Sequence, residues 1–264
     1  MIRAPAIFTP SNGAVGIAHR GSRLLWPENT AAAFQGAVGL GYQRFETDLR
    51  LTADGVLICF HDPVLSRTTN GHGFVAATTF DRMRRLDAGY RHRLGDRFPF
   101  RSKGITVPSF AEMATMFPGR GWVLDLKADG TEGPLADVIT ELELSDRVIV
   151  GSFSTERVDR FRRLTGGRVA TSTPPGETFR AMIAARAPRL AGASGDIFDA
   201  STCALQVPAS WYGVPVVSPA LVELAHSAGR LVHVWTVNSA DEVAALTDLG
   251  VDGLITDRPD VVPP

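Results

Sequence analysis

Short apolar runs that read as β-strands recur eight times along the 264 residues, at 15–19, 44–49, 122–127, 148–153, 169–173, 204–207, 231–237 and 253–256. A strand that returns to its own sheet through a helix lies parallel to the strand before it. Eight such units are the number that closes a (β/α)8 barrel, in which no strand is left with an unpaired edge. The expectation is an α/β chain folded as a TIM (β/α)8 barrel, one domain across 1–264.

Helix signals sit where that fold needs them. Glu28-Asn29-Thr30 opens a helix whose Phe34, Ala37 and Val38 form an apolar stripe that stops at Gly41. Ser109 with Glu112, and Ser239 with Glu242, have the spacing of the reciprocal capping pattern. Val158, Phe161 and Leu164 make the inner face of a helix from Ser154, another helix is expected over 177–187, and Ser218-Pro219 begins one that Gly229 ends.

One connection departs from the pattern. Only residues 50–55, ending in Asp54-Gly55, separate the second strand from the apolar run 56–60. That is too short for a crossover, so a β-hairpin is predicted, and it brings His61 back toward the strand it left. Residues 62–107 carry no sustained period and hold nine Lys or Arg against four Asp. This predicts a small insertion after strand 2, capping the active-site face, either as a solvated loop or as a guide for an anionic ligand.

A formal net charge of −1 argues against nucleic acid as a partner, which needs a basic face. No run is apolar and long enough for a transmembrane segment or a signal sequence. A cytoplasmic location is expected, with export through a segment ahead of this sequence as the alternative. Cys59 and Cys203 read as buried thiols.

Barrel enzymes carry their working residues at the C-terminal strand ends. His19, Glu46, Asp48, Asp125, Lys127, Phe153 and Trp235 all fall there. Strand alternation turns Glu46 and Asp48 the same way, and likewise Asp125 and Lys127. Three carboxylates without a His or Cys triplet suit a hard cation, Mg²⁺ or Ca²⁺, better than Zn²⁺, and they would repel one another without it. His19 and His61 can divide acid and base work, while Arg20 and Lys127 can hold phosphate oxygens. The combination points to phosphoryl transfer at a diester.

In that context the chain resembles the glycerophosphodiester phosphodiesterase family. The likeness is carried by His19-Arg20-Gly21, Pro27-Glu28-Asn29-Thr30, Glu46-Thr47-Asp48, Asp54-Gly55, His61-Asp62, Asp125-Leu126-Lys127, Ser152-Phe153, Trp235-Thr236-Val237-Asn238, and Asp252-Gly253 through Asp257-Arg258-Pro259. The resemblance implies a barrel that binds one divalent cation, Mg²⁺ or Ca²⁺, and cleaves small-molecule glycerophosphodiesters to sn-glycerol 3-phosphate and an alcohol. It implies Glu46, Asp48 and Asp125 as metal ligands, Asp125 standing where many members carry glutamate. His19 would be the base and His61 the acid as the substrate's own glycerol hydroxyl attacks phosphorus to form a cyclic phosphate.

By the same resemblance Arg20 and Lys127 contact phosphate, Glu28 lies near the metal or Arg20, and Phe153 and Trp235 wall the glycerol pocket, with packing at the barrel mouth as the alternative for that pair. Trp26 would stand at the pocket edge, and Asn29 and Asn238 would orient loops. His72, His92, His226 and His233 would be structural or exposed. The competing enzyme reading is a neighbouring barrel phospholipase, sphingomyelinase D-like or phosphatidylinositol phospholipase C-like. The competing non-enzyme reading is a polyol-phosphate binding protein, which has no need of an acid/base pair.

Overall fold

The computed structural model describes residues 2–186 and 197–264. In chain order the strands are β1 (Val15–His19), β2 (Arg44–Leu51), β3 (Leu57–Cys59), β4 (Gly121–Leu126), β5 (Val148–Gly151), β6 (Thr171–Ser172), β7 (Thr202–Pro208), β8 (Ser210–Trp211), β9 (Val214–Pro215), β10 (Leu231–Trp235) and β11 (Gly253–Thr256). The helices are α1 (Ala31–Gly39), α2 (Phe80–Met83), α3 (Phe110–Met116), α4 (Glu132–Glu141), α5 (Thr155–Leu164), α6 (Pro175–Arg186), α7 (Pro219–Ser227) and α8 (Ala240–Asp248). Strands β1, β2, β4, β5, β6, β7, β10 and β11 pair in that order, and β11 pairs back onto β1. Every one of these pairings is parallel, so the expected (β/α)8 barrel is closed. The predicted hairpin is also present, with Leu49 of β2 opposite Cys59 of antiparallel β3.

The two-residue alternation sorts side chains into two cores. Ala18, Phe45, Leu49, Trp122 and Leu124 pack with Phe34, Phe110 and Leu135 between the sheet and its helices. Val15, Ile17, Val123, Ile149 and Ile255 instead meet inside the barrel, where Phe8 joins them. Phe8 lies on a 3-10 turn, Ala6–Phe8, beside Gly121 at the start of β4, so it closes the end of the barrel away from the charged residues. The inward rows then continue upward into His19, Glu46 and Asp125. The barrel is apolar at one end and ionic at the other.

His233, one layer below Trp235 on β10, is fully buried beside Gly253, where even a Cβ would come within 2.6 Å of its ring. Burial pushes the imidazole down to about 4. Between pH 6.5 and 4 the unfolded chain binds a proton that the folded chain refuses, so stability falls as pH drops through that window. The loss is expected to reach about 3 kcal/mol. It should appear as the difference between wild-type and His233→Gln denaturation profiles over that range, and parallel profiles would contradict it.

Several elements differ from expectation. Helix α4 begins at Glu132-Gly133-Pro134, which reads as a turn, and Thr131 makes no side-chain cap. Proline is nevertheless tolerated in a first helical turn. The β8–β9 hairpin also went unsignalled because each strand has only two residues. Its turn residues Tyr212 and Gly213 both have positive φ, 46° and 78°, as a type I′ turn requires.

Strands β5, β6 and β10 are shorter than predicted, so Ser152 and Phe153 leave the sheet after Gly151. The helix expected over 177–187 starts at Pro175, and residue 187 lies outside the described residues. Residues 62–107 are built around a small core of their own, in which Leu65, Val75, Met83, Ala88 and Val107 pack on Ile58 and Phe60. Both cysteines are buried and unpaired, and burial pushes each thiol up to about 12. No described helix is long and apolar enough to cross a membrane.

Candidate active site

A cavity of about 800 Å³ opens at the C-terminal ends of the barrel strands. His19, Arg20, Glu46, Asp48, His61, Asp125, Lys127, Phe153 and Trp235 all line it. Residues from β1, β2, β4, β10 and the segment after β3 are thereby brought to one place.

Asp48 is the hub. Its Oδ2 lies 3.0 Å from Arg20 Nε and accepts a hydrogen bond from Asn29 Nδ2 at 2.9 Å, while its Oδ1 lies 3.1 Å from Lys127 Nζ. Burial alone would raise this carboxyl, but Arg20 and Lys127 outweigh it and hold Asp48 well below the usual carboxylate range. Asn29 accepts in turn from Thr47 Oγ1 at 2.7 Å and has a left-handed backbone, φ 58°. It does more than orient a loop, because its amide fixes Asp48.

Lys127 Nζ also donates to Asp125 Oδ2 at 2.5 Å. Burial nonetheless leaves Asp125 above its ordinary value. Glu46 accepts from the Arg20 backbone N–H at 3.1 Å, and burial, with repulsion from Asp48, pushes it up to about 7. Among the described residues no three His, Cys, Asp or Glu already stand together as a metal-ligand set. The Lys127 ammonium takes the bridging place between Asp48 and Asp125.

Each histidine has its own carboxylate. His19 Nδ1 donates to Asp257 Oδ1 at 2.6 Å, Arg23 Nε donates to Asp257 Oδ2 at 2.8 Å, and Asn238 accepts from the Asp257 backbone N–H at 2.9 Å. Burial would lower His19, but Glu46, 3.7 Å from its Nε2, and Asp257 together leave it above its ordinary value. His61 Nδ1 donates to Asp62 Oδ1 at 2.6 Å, and burial leaves this imidazole below its ordinary value.

Arg67 then joins Asp62 to Glu28, with Nε donating to Asp62 at 2.5 Å and both terminal nitrogens to Glu28 at 2.9 and 2.6 Å. Glu28 completes the path by accepting from Arg20 at 3.0 Å. An unbroken series of ion pairs thus runs from His61 to Asp125. Glu28 thus stands beside Arg20, one of the two places the resemblance implied for it, and lines a smaller cavity next to the main one.

Phe153 is 63% exposed and meets Trp235 edge to face at 5.7 Å, with Lys127 Nζ 5.3 Å from the Phe153 ring centre. Trp26 is not at the pocket edge: it lies over Gly36 of α1, where the missing side chain leaves room for the indole. His226 bonds Asp252 at 2.9 Å away from the cavity. His92 lies with Arg23, Arg67, Arg91 and Arg93 around a smaller cavity of about 180 Å³. Part of the basic charge of 62–107 therefore faces the rim of the site.

Asp257, Asp62 and Arg67 were assigned no role from sequence. The first two had a findable signal, since an imidazole that handles protons commonly has its other nitrogen held by a carboxylate. Asp62 is adjacent to His61, and Asp257 follows the last strand directly. Arg67 had none, because its bond to Glu28 spans 39 positions.

The model of the glycerophosphoryl diester phosphodiesterase family matches residues 19–261, nearly the whole barrel. The chain belongs to that family. It is accordingly a phosphoric diester hydrolase, and its relatives agree. A Mycobacterium tuberculosis protein named "Probable glycerophosphodiester phosphodiesterase 2" is 34% identical over 98% of this chain and 93% of its own length. The glycerophosphodiester phosphodiesterase of Caldanaerobacter subterraneus is 29% identical over 93% of this chain and 95% of its own. Among solved structures, an Oleispira antarctica phosphodiesterase in complex with the product sn-glycerol-3-phosphate superposes with a TM-score of 0.72 at 25% identity, covering 97% of this chain and 96% of that one. A family domain from Mycobacterium tuberculosis gives 0.82 at 19% identity over 94% and 97%, a likeness of fold.

Proposed function

We propose that this protein hydrolyses glycerophosphodiesters to sn-glycerol 3-phosphate and an alcohol, using one divalent cation and proton transfer shared between His19 and His61. The observation that supports it most is the pair of carboxylate-backed imidazoles lining one cavity with Glu46, Asp48, Asp125, Arg20 and Lys127. The donor set fits a hard cation. It is all oxygen, and Asp125 Oδ1 is buried with no hydrogen-bond partner among the described residues. Mg²⁺ or Ca²⁺ would be held by Glu46, Asp48 and Asp125, and when bound it would supply charge stabilisation to the phosphoryl oxygens.

The chain's own groups account for the rest. Asp257 on His19 Nδ1 leaves Nε2 to take the proton of the glycerol hydroxyl, whose oxygen bonds to phosphorus. The bond from phosphorus to the alcohol oxygen breaks as His61 gives that oxygen a proton. Water then opens the cyclic phosphate with the two histidines in exchanged roles. Glu46 and Asp257 hold His19 above its ordinary value, and burial leaves His61 below its own. With a cation held by Glu46, the negative charge that raises His19 would be offset, which would suit Nε2 to act as the base. Arg20 and Lys127 bind phosphate oxygens, and Phe153 and Trp235 flank the glycerol.

Glycerophosphocholine tests this directly. Chelation is expected to abolish turnover, and Mg²⁺ or Ca²⁺ to restore it, with choline and glycerol 3-phosphate as products. Full activity after chelation would remove the cation from the mechanism. Activity confined to intact two-chain lipids would favour the phospholipase reading.

A further inference from the structure

The catalytic groups occupy only part of their cavity. Its volume of about 800 Å³ lies toward the upper end of sites that hold drug-sized ligands, whereas glycerol phosphate has only about ten non-hydrogen atoms. Every charged lining residue belongs to the ion-pair system described above, including Arg23 on Asp257. Among the described residues the remainder of the lining carries no charge, and Phe153, Phe179, Met182, Trp211, Val216 and Trp235 give it a broad apolar wall.

That wall runs outward onto α6 and the β8–β9 hairpin, where Phe179 is 64% and Trp211 54% exposed. Tyr212, at the hairpin tip, is 93% exposed and meets Trp211 edge to face at 5.3 Å. Large aromatic faces collected at a cavity mouth mark a surface that meets an apolar ligand. A glycerol and a small polar alcohol would leave them in water.

We infer that the site takes diesters bearing a long alkyl or acyl chain, which lies along the wall formed by Phe179, Met182, Trp211 and Val216. The inference rests on the proposed diesterase activity. The wall is continuous with the phosphate site, so the group that covers it is a substituent of the substrate itself. A chain on the glycerol and a chain on the leaving alcohol share this chemistry.

The experiment compares kcat/KM, below any micelle-forming concentration, for two matched pairs. Glycerophosphocholine is set against its 1-octanoyl form, and glycerophosphoethanolamine against its N-octanoyl form. Each buried methylene favours binding by about fourfold at most, so a partly covered octanoyl chain is expected to raise kcat/KM at least about tenfold in one pair, and that pair locates the chain. Phe179→Ala with Trp211→Ala should bring the ratio to within about twofold of unity while glycerophosphocholine turnover is kept. No gain in either pair, or a gain that survives in the double variant, overturns the inference. Failure to cleave either parent diester overturns the proposed function itself, a distinguishable result.

Discussion

His61→Ala is expected to lower turnover of glycerophosphocholine by about 10²–10⁴-fold, the span a positioned acid or base contributes, and His19→Ala to do the same. The two losses differ in origin, and a change of leaving group separates them. Nitrophenolate departs without a proton, so on glycerophospho-p-nitrophenol the variant lacking the acid recovers most of its rate, while the variant lacking the base does not. Recovery is expected for His61→Ala. Recovery by His19→Ala instead would reverse the roles, and undiminished turnover in both variants would remove the imidazoles from the chemistry. Asp257 and Asp62, each 2.6 Å from its histidine, hold Nδ1 of each ring, which on the proposed mechanism leaves Nε2 to face the substrate.

Asp48 is expected to show the second large effect, in stability as well as in rate. Its carboxylate is 1% exposed and sits against Arg20, Lys127 and the Asn29 amide together. Removing one partner of a buried ion pair typically costs about 3–5 kcal/mol, because the remaining charge is left uncompensated. Arg20 retains Glu28 and Lys127 retains Asp125, so Asp48→Ala should fall near the lower end, about 3 kcal/mol by denaturant titration. Asp48→Asn keeps the volume and should lose less stability, yet its turnover should fall as far as that of the alanine variant. Wild-type turnover in Asp48→Asn would refute the central place given to this residue.

Much of this arrangement was legible in the sequence because it follows from local rules. Strand parity put Glu46 and Asp48 on one face, and the few residues between β2 and β3 required the hairpin that returns His61. Pairings set by tertiary closeness were not legible. Asp257 reaches His19 across 238 positions, and only the closure of β11 onto β1 brings them together. Parity did place Asp125 and Lys127 on one side, but not the ammonium's return onto its neighbour's carboxylate. The 3-10 turn carrying Phe8 and the two-residue strands of β8–β9 are too short for any periodicity to register.

The hairpin after β2 has a consequence for how such an enzyme could diversify. His19 is built into a stave of the cylinder, so its surroundings are shared with the whole fold and tolerate little change. His61 and Asp62 instead ride on an appendage with a separate small core, tethered to the main body through Arg67 and Glu28. Exchanging residues 62–107 between homologues should therefore alter the carboxylate that holds His61 and the approach to that imidazole, while His19 and Asp257 stay as they were.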